Sequence, residues 1–242
     1  MVRDGTEAYE QFQQSCDGQC PCEAAGAVAV PAARPAPDAL IGLLQLPTVF
    51  GTPEQGGVRA AQNPQAVALF AEPAAGAEPL AKLSAIEDFE SREYTYERAA
   101  AVVHEERSGW YRIGLRTRRL GRLDSAWIAA GDAGEFLPIG PLLVDRLAYL
   151  NDHWDGRLWP WPVGRSQPRA TRVQLRTPTG SNQVYPVRVL QSRMLNGGLW
   201  LRVETLSGDP CGGRPPDILD RGWVPAYSER GQLVAGFHSR GC

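Results

Sequence analysis

The segment GWVPAYSERGQLVAGFHSRGC at 222–242 indicates the end of a small β-unit, and part of it has a counterpart earlier in the chain. Trp223-Val-Pro-Ala corresponds to Trp127-Ile-Ala-Ala. Upstream of these motifs, Trp200-Leu-Arg-Val corresponds to Trp110-Tyr-Arg-Ile. This recurrence predicts a duplicated all-β unit of about 70 to 85 residues.

The spacing inside the two copies also agrees. Pro73 precedes Trp110 by 37 residues, and Pro162 precedes Trp200 by 38. One tyrosine in each copy lies 14 or 15 residues before the same tryptophans, at Tyr96 and Tyr185. The second copy is longer because of the insertion SGDPCGGRPPDILDR at 207–221. The alternative is that Trp-x-Arg-aliphatic strands simply recur in β proteins.

Composition supports a mainly β chain and narrows the possible partners. With 26 Gly and 20 Pro in 242 residues, turns are frequent, which is typical of short strands joined by loops. A net charge of −2 argues against nucleic acid or an anionic membrane as the main partner. No run reaches the roughly 18 apolar residues of a membrane span. No apolar signal region follows Met1, so we expect any secretory signal to be absent from this sequence.

The five cysteines predict an oxidising compartment. Cys242 ends the given sequence, and a disulfide to Cys211 would tie it to the Gly- and Pro-rich loop of the insertion. Cys16, Cys20 and Cys22 lack the spacing of a zinc site and have no histidine nearby, which favours a local disulfide or free thiols over a metal.

The chain divides into three predicted parts. Residues 1–38 contain a short helix and an Ala/Pro-rich linker, 39–150 the first β-domain with flanking strands, and 151–242 the second. The apolar segments 39–51 and 136–150 are too hydrophobic for free linkers, so we expect them to pack on or between the two domains. The second of these segments has the pattern of a strand, a short helical turn and another strand.

Several motifs resemble bacterial SH3-like (Src homology 3) domains of secreted or periplasmic proteins. The resemblance lies in Gly109-Trp110-Tyr111, Leu199-Trp200-Leu201 and the closing Gly-Trp-Val-Pro-Ala-Tyr at 222–227, and it covers roughly 67–242. It implies an all-β fold of two SH3-like small barrels in tandem, each five-stranded and partly open. It also implies ligand binding through exposed aromatics, with a cell-wall peptide or a partner protein as the ligand.

The predicted ligand site lies on the second copy. Trp159-Pro160-Trp161-Pro162 places two indoles on a stiff segment, and aromatic platforms suit extended peptides or sugars. The alternative is that Trp159 and Trp161 seal the interface between the repeats. The full predicted site is Trp154, Trp159, Trp161, Tyr185, Trp200 and Tyr227.

A cluster of five arginines, at positions 112, 116, 118, 119 and 122, is the one local charge anomaly. Read as a strand pair, it predicts a basic face for a carboxylate-rich partner such as a peptidoglycan stem. The alternative is a solvated hairpin whose arginines pair with Glu105, Glu106 and Asp124.

Nothing in the sequence predicts catalysis. His104, His153 and His238 have no neighbouring nucleophile motif, and the known hydrolase and nucleotide-binding motifs are missing from the sequence. We therefore predict no enzymatic activity and no cofactor. The predicted function is an extracytoplasmic binding or adaptor protein for peptide or peptidoglycan-type ligands. The alternative is a periplasmic inhibitor or immunity-type protein that binds a folded protein, and a cell-wall hydrolase is the less favoured third reading.

Overall fold

A computed structural model describes residues 33–51, 64–162, 169–170, 184–208, 210–211 and 213–240. The protein is built mainly of β-strands with few helices, which confirms the all-β prediction. The predicted N-terminal helix, most of the linker, and Cys16, Cys20, Cys22 and Cys242 lie outside the described residues. The Cys211–Cys242 disulfide therefore stays a prediction. None of the helices in the described part of the chain has the length and apolar character needed to cross a membrane.

The six strands of the first sheet are β1 (Gly42–Leu44), β4 (Ser91–Thr95), β5 (Arg98–Arg107), β6 (Trp110–Gly114), β7 (Ser125–Ala129) and β8 (Phe136–Pro138). Their order in the sheet is β7-β6-β5-β1-β8, and β4 also pairs with β5. A separate pair, β2 (Val67–Leu69) and β3 (Ala81–Leu83), reaches this sheet through an isolated bridge. The short helix α1 (Pro47–Phe50) follows β1.

The five strands of the second sheet are β9 (Leu147–Leu150), β12 (Tyr185–Leu195), β13 (Gly198–Leu206), β14 (Ile218–Pro225) and β15 (Ala235–Phe237). Their order in the sheet is β14-β13-β12-β9-β15. A further pair, β10 (Arg157–Leu158) and β11 (Arg169–Ala170), lies beside it. Helix α2 (Ile139–Leu143) connects the two sheets between β8 and β9.

Apart from β4, the strands of the first sheet match those of the second sheet in order. In each sheet the strand that precedes the long hairpin in the chain, β1 or β9, lies inside the sheet beside that hairpin. The last strand, β8 or β15, forms an edge. In both hairpins the two turn residues have positive φ, as the two-residue turns that match strand twist require: Ser108-Gly109 in the first and Asn196-Gly197 in the second. The register also matches, since Trp110 pairs with Ala129 where Trp200 pairs with Pro225.

The tyrosine spacing, in contrast, is a coincidence. In the sheet register the position equivalent to Tyr185 is Ala99, and Tyr96 lies in the turn before β5 with 63% of its surface exposed. Trp110 pairs with the residue 3 positions before it and Trp200 with the residue 7 positions before it. The hairpin of the second copy is therefore four residues longer between these paired positions. Counting residues back from the two tryptophans does not show this difference, so it aligns Tyr185 with the wrong residue of the first copy.

The predicted flanking segments are parts of the sheets themselves. β1, inside segment 39–51, pairs with both β5 and β8 in the middle of the first sheet. Segment 136–150 does form a strand, a helical turn and a strand, as predicted, but its two strands belong to different sheets. Because β9 pairs with β12 and β15, Leu147–Leu150 belongs with the second sheet, although the predicted division was placed after residue 150.

One hydrophobic core spans both sheets. Leu43 and Val102 of the first sheet share it with Leu143 of α2 and with Leu150 and Val187 of the second sheet. A second core covers the other face of the first sheet, and a small cluster around two buried tryptophans covers the other face of the second. Among the described strands neither sheet closes into a barrel, because the hydrogen-bonded path ends at β7 and β8 in one and at β14 and β15 in the other.

Candidate functional site

An aromatic cavity of about 480 Å³ opens beside the second sheet. Four of the six residues predicted as the ligand site contribute to its walls: Trp154, Trp159, Trp200 and Tyr227. They come from the turn after β9, the segment after β10, strand β13 and the segment after β14. The fold therefore brings together side chains that lie up to 73 positions apart in the chain, since Trp154 and Tyr227 both line the cavity.

Trp159 is positioned by the backbone of β14. Its N–H donates to Trp223 O at 2.8 Å, and Trp223 N–H donates to Trp159 O at 2.7 Å. This two-bond bridge orients the indole of Trp159 edge-to-face against Trp200, with ring centroids 6.1 Å apart. Trp200 is only 1% exposed and forms the floor of this aromatic pair. Trp159 remains half-buried and available to a ligand.

Trp154 and Tyr227 are both buried and hydrogen-bonded. Trp154 Nε1 donates to Arg157 O at 3.0 Å, and Tyr227 Oη donates to Leu40 O at 3.0 Å. Burial raises the pKa of the Tyr227 phenol well above its ordinary value. Leu40 precedes β1 of the first sheet, so the hydrogen bond from Tyr227 links the cavity wall to the first sheet.

The other two predicted site residues lie outside the aromatic cavity. Tyr185 is buried and packs edge-to-face on Trp154 with ring centroids 4.9 Å apart, so it supports the wall from behind. Burial raises the pKa of this phenol as well. Trp161 packs edge-to-face on Trp223 at 5.9 Å.

The alternative in which Trp159 and Trp161 seal the two repeats together is wrong. Both indoles pack on tryptophans of the second sheet, and together these rings form the small cluster on its outer face. The shared core between the sheets is built from other residues.

Two turns form the rim of the aromatic cavity. In the first, Asn151 Oδ1 accepts from His153 N–H and Asn151 O accepts from Trp154 N–H. In the second, Gly231 N–H donates to Ser228 O. These turns place Asp152, Asp155 and Glu229, all exposed, at the cavity mouth together with Arg230. The sequence NDHWDG at 151–156 favours a turn, with general acid/base chemistry at Asp152 and Asp155 as the less favoured interpretation, and no motif marks Glu229.

A polar cavity of about 550 Å³ adjoins the aromatic one and shares Asp152, His153 and Gln232 with it. It lies between the sheets, because Arg92 of β4 and Tyr149 of β9 both line it. No motif in the sequence signals it.

Segment 33–40 crosses this side of the molecule as a strap. Ala36 N–H donates to Gly231 O at 2.9 Å, and Arg112 donates to Pro37 O. Gly231 has φ +75°, and a Cβ there would collide with the backbone of Ala36, so this close approach requires glycine. Ala33 of the strap lines the aromatic cavity, and the strap contributes Asp38 to the polar one.

The basic face predicted at 112–122 does not form as a strand. β6 ends at Gly114 and β7 begins at Ser125, so Arg116, Arg118 and Arg122 lie in the connecting loop, where strand alternation does not apply. Arg112, which is in β6, pairs with Glu105 at 3.3 Å, as the solvated-hairpin alternative proposed. Arg119 in the same loop approaches the buried Asp88 at 3.4 Å.

The histidines take part in polar contacts of an ordinary kind. His104 lies 3.3 Å from Ala39 O through Nδ1 and 3.7 Å from Glu90 through Nε2. The hydrogen bond with His104 is the main reason that the pKa of Glu90 is lowered. His153 lies 3.7 Å from Asp152. Within the described residues no group of three or more His, Cys, Asp or Glu side chains could hold a metal ion.

Comparison with known proteins identified no relative of this chain. No family model matches the chain, and neither the curated proteins nor the solved structures contain a detectable match.

Proposed function

We propose that this chain is a non-catalytic, extracytoplasmic binding or adaptor protein. In this proposal each sheet is the core of an SH3-like unit, and the second unit recognises a peptide or cell-wall peptide in the aromatic cavity. The observation that carries the proposal is the convergence of Trp154, Trp159, Trp200 and Tyr227 on one open cavity.

The chemistry of the cavity suits an extended ligand. Trp159 is half-exposed and offers a ligand aromatic contact area at little cost in conformational entropy, and the buried rings of Trp154, Trp200 and Tyr227 support it and complete the apolar wall. The volume of about 480 Å³ is within the range of small-ligand sites and fits a few residues of a peptide. The rings are held by hydrogen bonds and edge-to-face packing, so a ligand would meet a preformed surface.

Binding to purified peptidoglycan sacculi tests the proposed function. We expect saturable co-sedimentation of the full chain and its loss in Trp159→Ala. The matched control is Phe70→Ala, since Phe70 bridges Trp127 in the first sheet as Trp159 bridges Trp223 in the second. Equal loss in both variants, or no saturable binding to sacculi or to peptides derived from them, would contradict the proposal.

The extracytoplasmic location depends on the predicted Cys211–Cys242 disulfide. Mass spectrometry of a non-reduced tryptic digest should show the cross-linked peptide, because the loop at Cys211 is exposed and a bond to Cys242 would constrain it. If both thiols are alkylated in protein made under oxidising conditions, the compartment proposal loses its basis.

One observation favours a folded protein as the partner instead. An apolar cavity of about 440 Å³ lies against the tip of the β12–β13 hairpin, where Met194 is 67% exposed and Leu199 contributes to the wall. Methionine-rich or otherwise adaptable apolar surfaces suit protein partners. Co-purification of one protein, lost in Met194→Asp and kept in Trp159→Ala, would favour this inhibitor-type function.

A further inference from the structure

The mouth of the aromatic cavity has an excess of negative charge. Three carboxylates contribute to its lining, those of Asp152, Asp155 and Glu229, against one guanidinium, that of Arg230. The adjoining polar cavity adds Asp38 and Arg92, so the two cavities together hold four acids and two arginines. With the histidines counted as neutral, the carboxylates and guanidiniums that line the two cavities sum to a charge of −2, and the three carboxylates and one guanidinium of the aromatic cavity give the same sum.

The acids are placed by local backbone geometry. Asp155 Oδ1 accepts from Arg157 N–H at 3.0 Å, which holds the carboxylate at the turn beside Trp154 and Trp159. Glu229 lies in the turn closed by Ser228 and Gln232, where Ser228 N–H donates to Gln232 O at 2.8 Å. The Asp155 carboxylate is therefore held at the rim by a hydrogen bond, and the backbone of the second turn places Glu229 beside the cavity.

This rim belongs to the second copy. From Ala129 to Phe136 the first copy uses 7 positions, and the equivalent path from Pro225 to Phe237 uses 12. The five additional residues allow the turn that presents Glu229 and Arg230. On the other side of the cavity, the first copy has helix α1 after β1, whereas the second copy has the turn that carries Asp155 after β9.

We infer that the aromatic cavity selects a cationic side chain, such as lysine or arginine, in the peptide that it binds. Indole rings attract cations through their negative faces, and nearby carboxylates add to this attraction. An acidic peptide, in contrast, would bring like charges together at the rim, so within a carboxylate-rich cell-wall stem only a segment with an amine side chain would suit the cavity. This inference rests on the proposed function, because it names the class of peptide for that same site.

Three capped peptides test the inference, each Ala-Pro-X-Pro-Ala with X as lysine, norleucine or glutamate. Acetyl and amide caps leave X as the only charge, and the prolines keep the peptide extended. Binding to the full chain would be followed by NMR of the indole N–H signals of Trp154, Trp159 and Trp200. We expect the lysine peptide to bind at least about fivefold more tightly than the norleucine peptide at low ionic strength, with glutamate weakest. The preference should shrink at about 0.3 M salt, since the carboxylates are exposed.

The double variant Asp155→Asn/Glu229→Gln should reduce the lysine preference to less than about twofold while leaving norleucine binding unchanged. The asparagine keeps an oxygen that can accept from Arg157 N–H, so the turn is preserved. Glu87→Gln is the control, because Glu87 is exposed and carries the same charge on the first half of the molecule.

Each outcome separates the two proposals. Equal binding of the lysine and norleucine peptides, or tighter binding of glutamate, would overturn the cationic selectivity and leave the cavity as a peptide site. If none of the three peptides shifts the indole signals, both proposals are contradicted. An equal loss of preference in Glu87→Gln would show that the effect is a general field, which would also overturn the role of the rim.

Discussion

The first and second sheets share a strand order but enclose their equivalent tryptophans differently. Phe70 packs edge-to-face on Trp110 with ring centroids 5.2 Å apart, and Trp159 packs in the same way on Trp200 at 6.1 Å. Trp110 is half-buried, however, whereas Trp200 is only 1% exposed. The same aromatic pair is thus part of an open surface in one copy and of a cavity wall in the other.

The two tryptophans are enclosed differently because the connections between strands differ in length, whereas the strand order is the same. The second copy has a longer hairpin between β12 and β13 and a longer path from β14 to β15, and these additions surround its aromatic pair. In the first copy the neighbouring Trp127 instead packs under Arg107, whose guanidinium carbon lies 5.3 Å from the ring centre. A duplicated sheet can therefore keep its core while connections of different length change how its outer aromatic pair is enclosed.

The largest expected effect compares Trp200→Ala with Trp110→Ala. The first should lower the free energy of unfolding by about 3 to 5 kcal/mol, because it empties a fully buried position. The second should cost about 1 to 2 kcal/mol, because Trp110 is half-buried. Urea unfolding followed by far-ultraviolet circular dichroism measures both. Equal losses would show that the two tryptophans are enclosed alike.

The next comparison separates Trp159 from Trp161. Trp159→Ala should weaken peptide binding by about 2 kcal/mol, as loss of a central aromatic contact does. Trp161→Ala should lower stability by about 1 to 3 kcal/mol without a selective loss of binding, because its indole packs on Trp223 and not on the cavity. Titration of the lysine peptide and thermal melts on both variants decide this. A selective binding loss in Trp161→Ala would return that residue to the site.

A smaller effect concerns the contact of Tyr227 with the first half of the molecule. Tyr227→Phe should cost about 1 kcal/mol, since Leu40 O loses its buried donor. Because the folded-state pKa of Tyr227 is raised above the ordinary value of 10.0, its contribution is complete below pH 10 and declines as the pH rises above it. The stability of the wild type should therefore fall more steeply above pH 10 than that of the variant. Parallel slopes would contradict the burial of this phenol.

The smallest effect is expected at Arg240, which joins the end of the second copy to β4 of the first. Its Nε lies 2.9 Å from Glu93 Oε1, and this hydrogen bond is the main cause of the lowered pKa of Glu93. Arg240→Ala should change the melting temperature only slightly, because exposed ion pairs are weak. The difference should vanish as the pH falls through the lowered pKa of Glu93, below 4.5. A large effect at neutral pH would mean that this pair holds the two halves together.

Part of the candidate site was predictable from the alternation of tryptophan with proline at 159–162 and from the aromatics of the SH3-like resemblance. Trp154, Trp159, Trp200 and Tyr227 were predicted on these grounds, and they do line one cavity. Tyr185 and Trp161 were predicted on the same grounds but pack behind the wall and beside it. Local sequence indicates which rings are large and poorly solvated, and it does not indicate which side of a ring faces a cavity.

The sequence by itself determined the β class, the strand pair at 96–115, and the alignment of Trp110 with Trp200 and of Trp127 with Trp223. These features depend on strand alternation and turn residues, which are local. Only the tertiary structure decided that β1 and β9 are central strands, that Ala99 and not Tyr96 matches Tyr185, and that Asp155 and Glu229 share one rim. The physical reason is that strand pairing and loop packing bring together residues that are distant in the chain. Such contacts follow no regular residue interval, so the sequence does not show them.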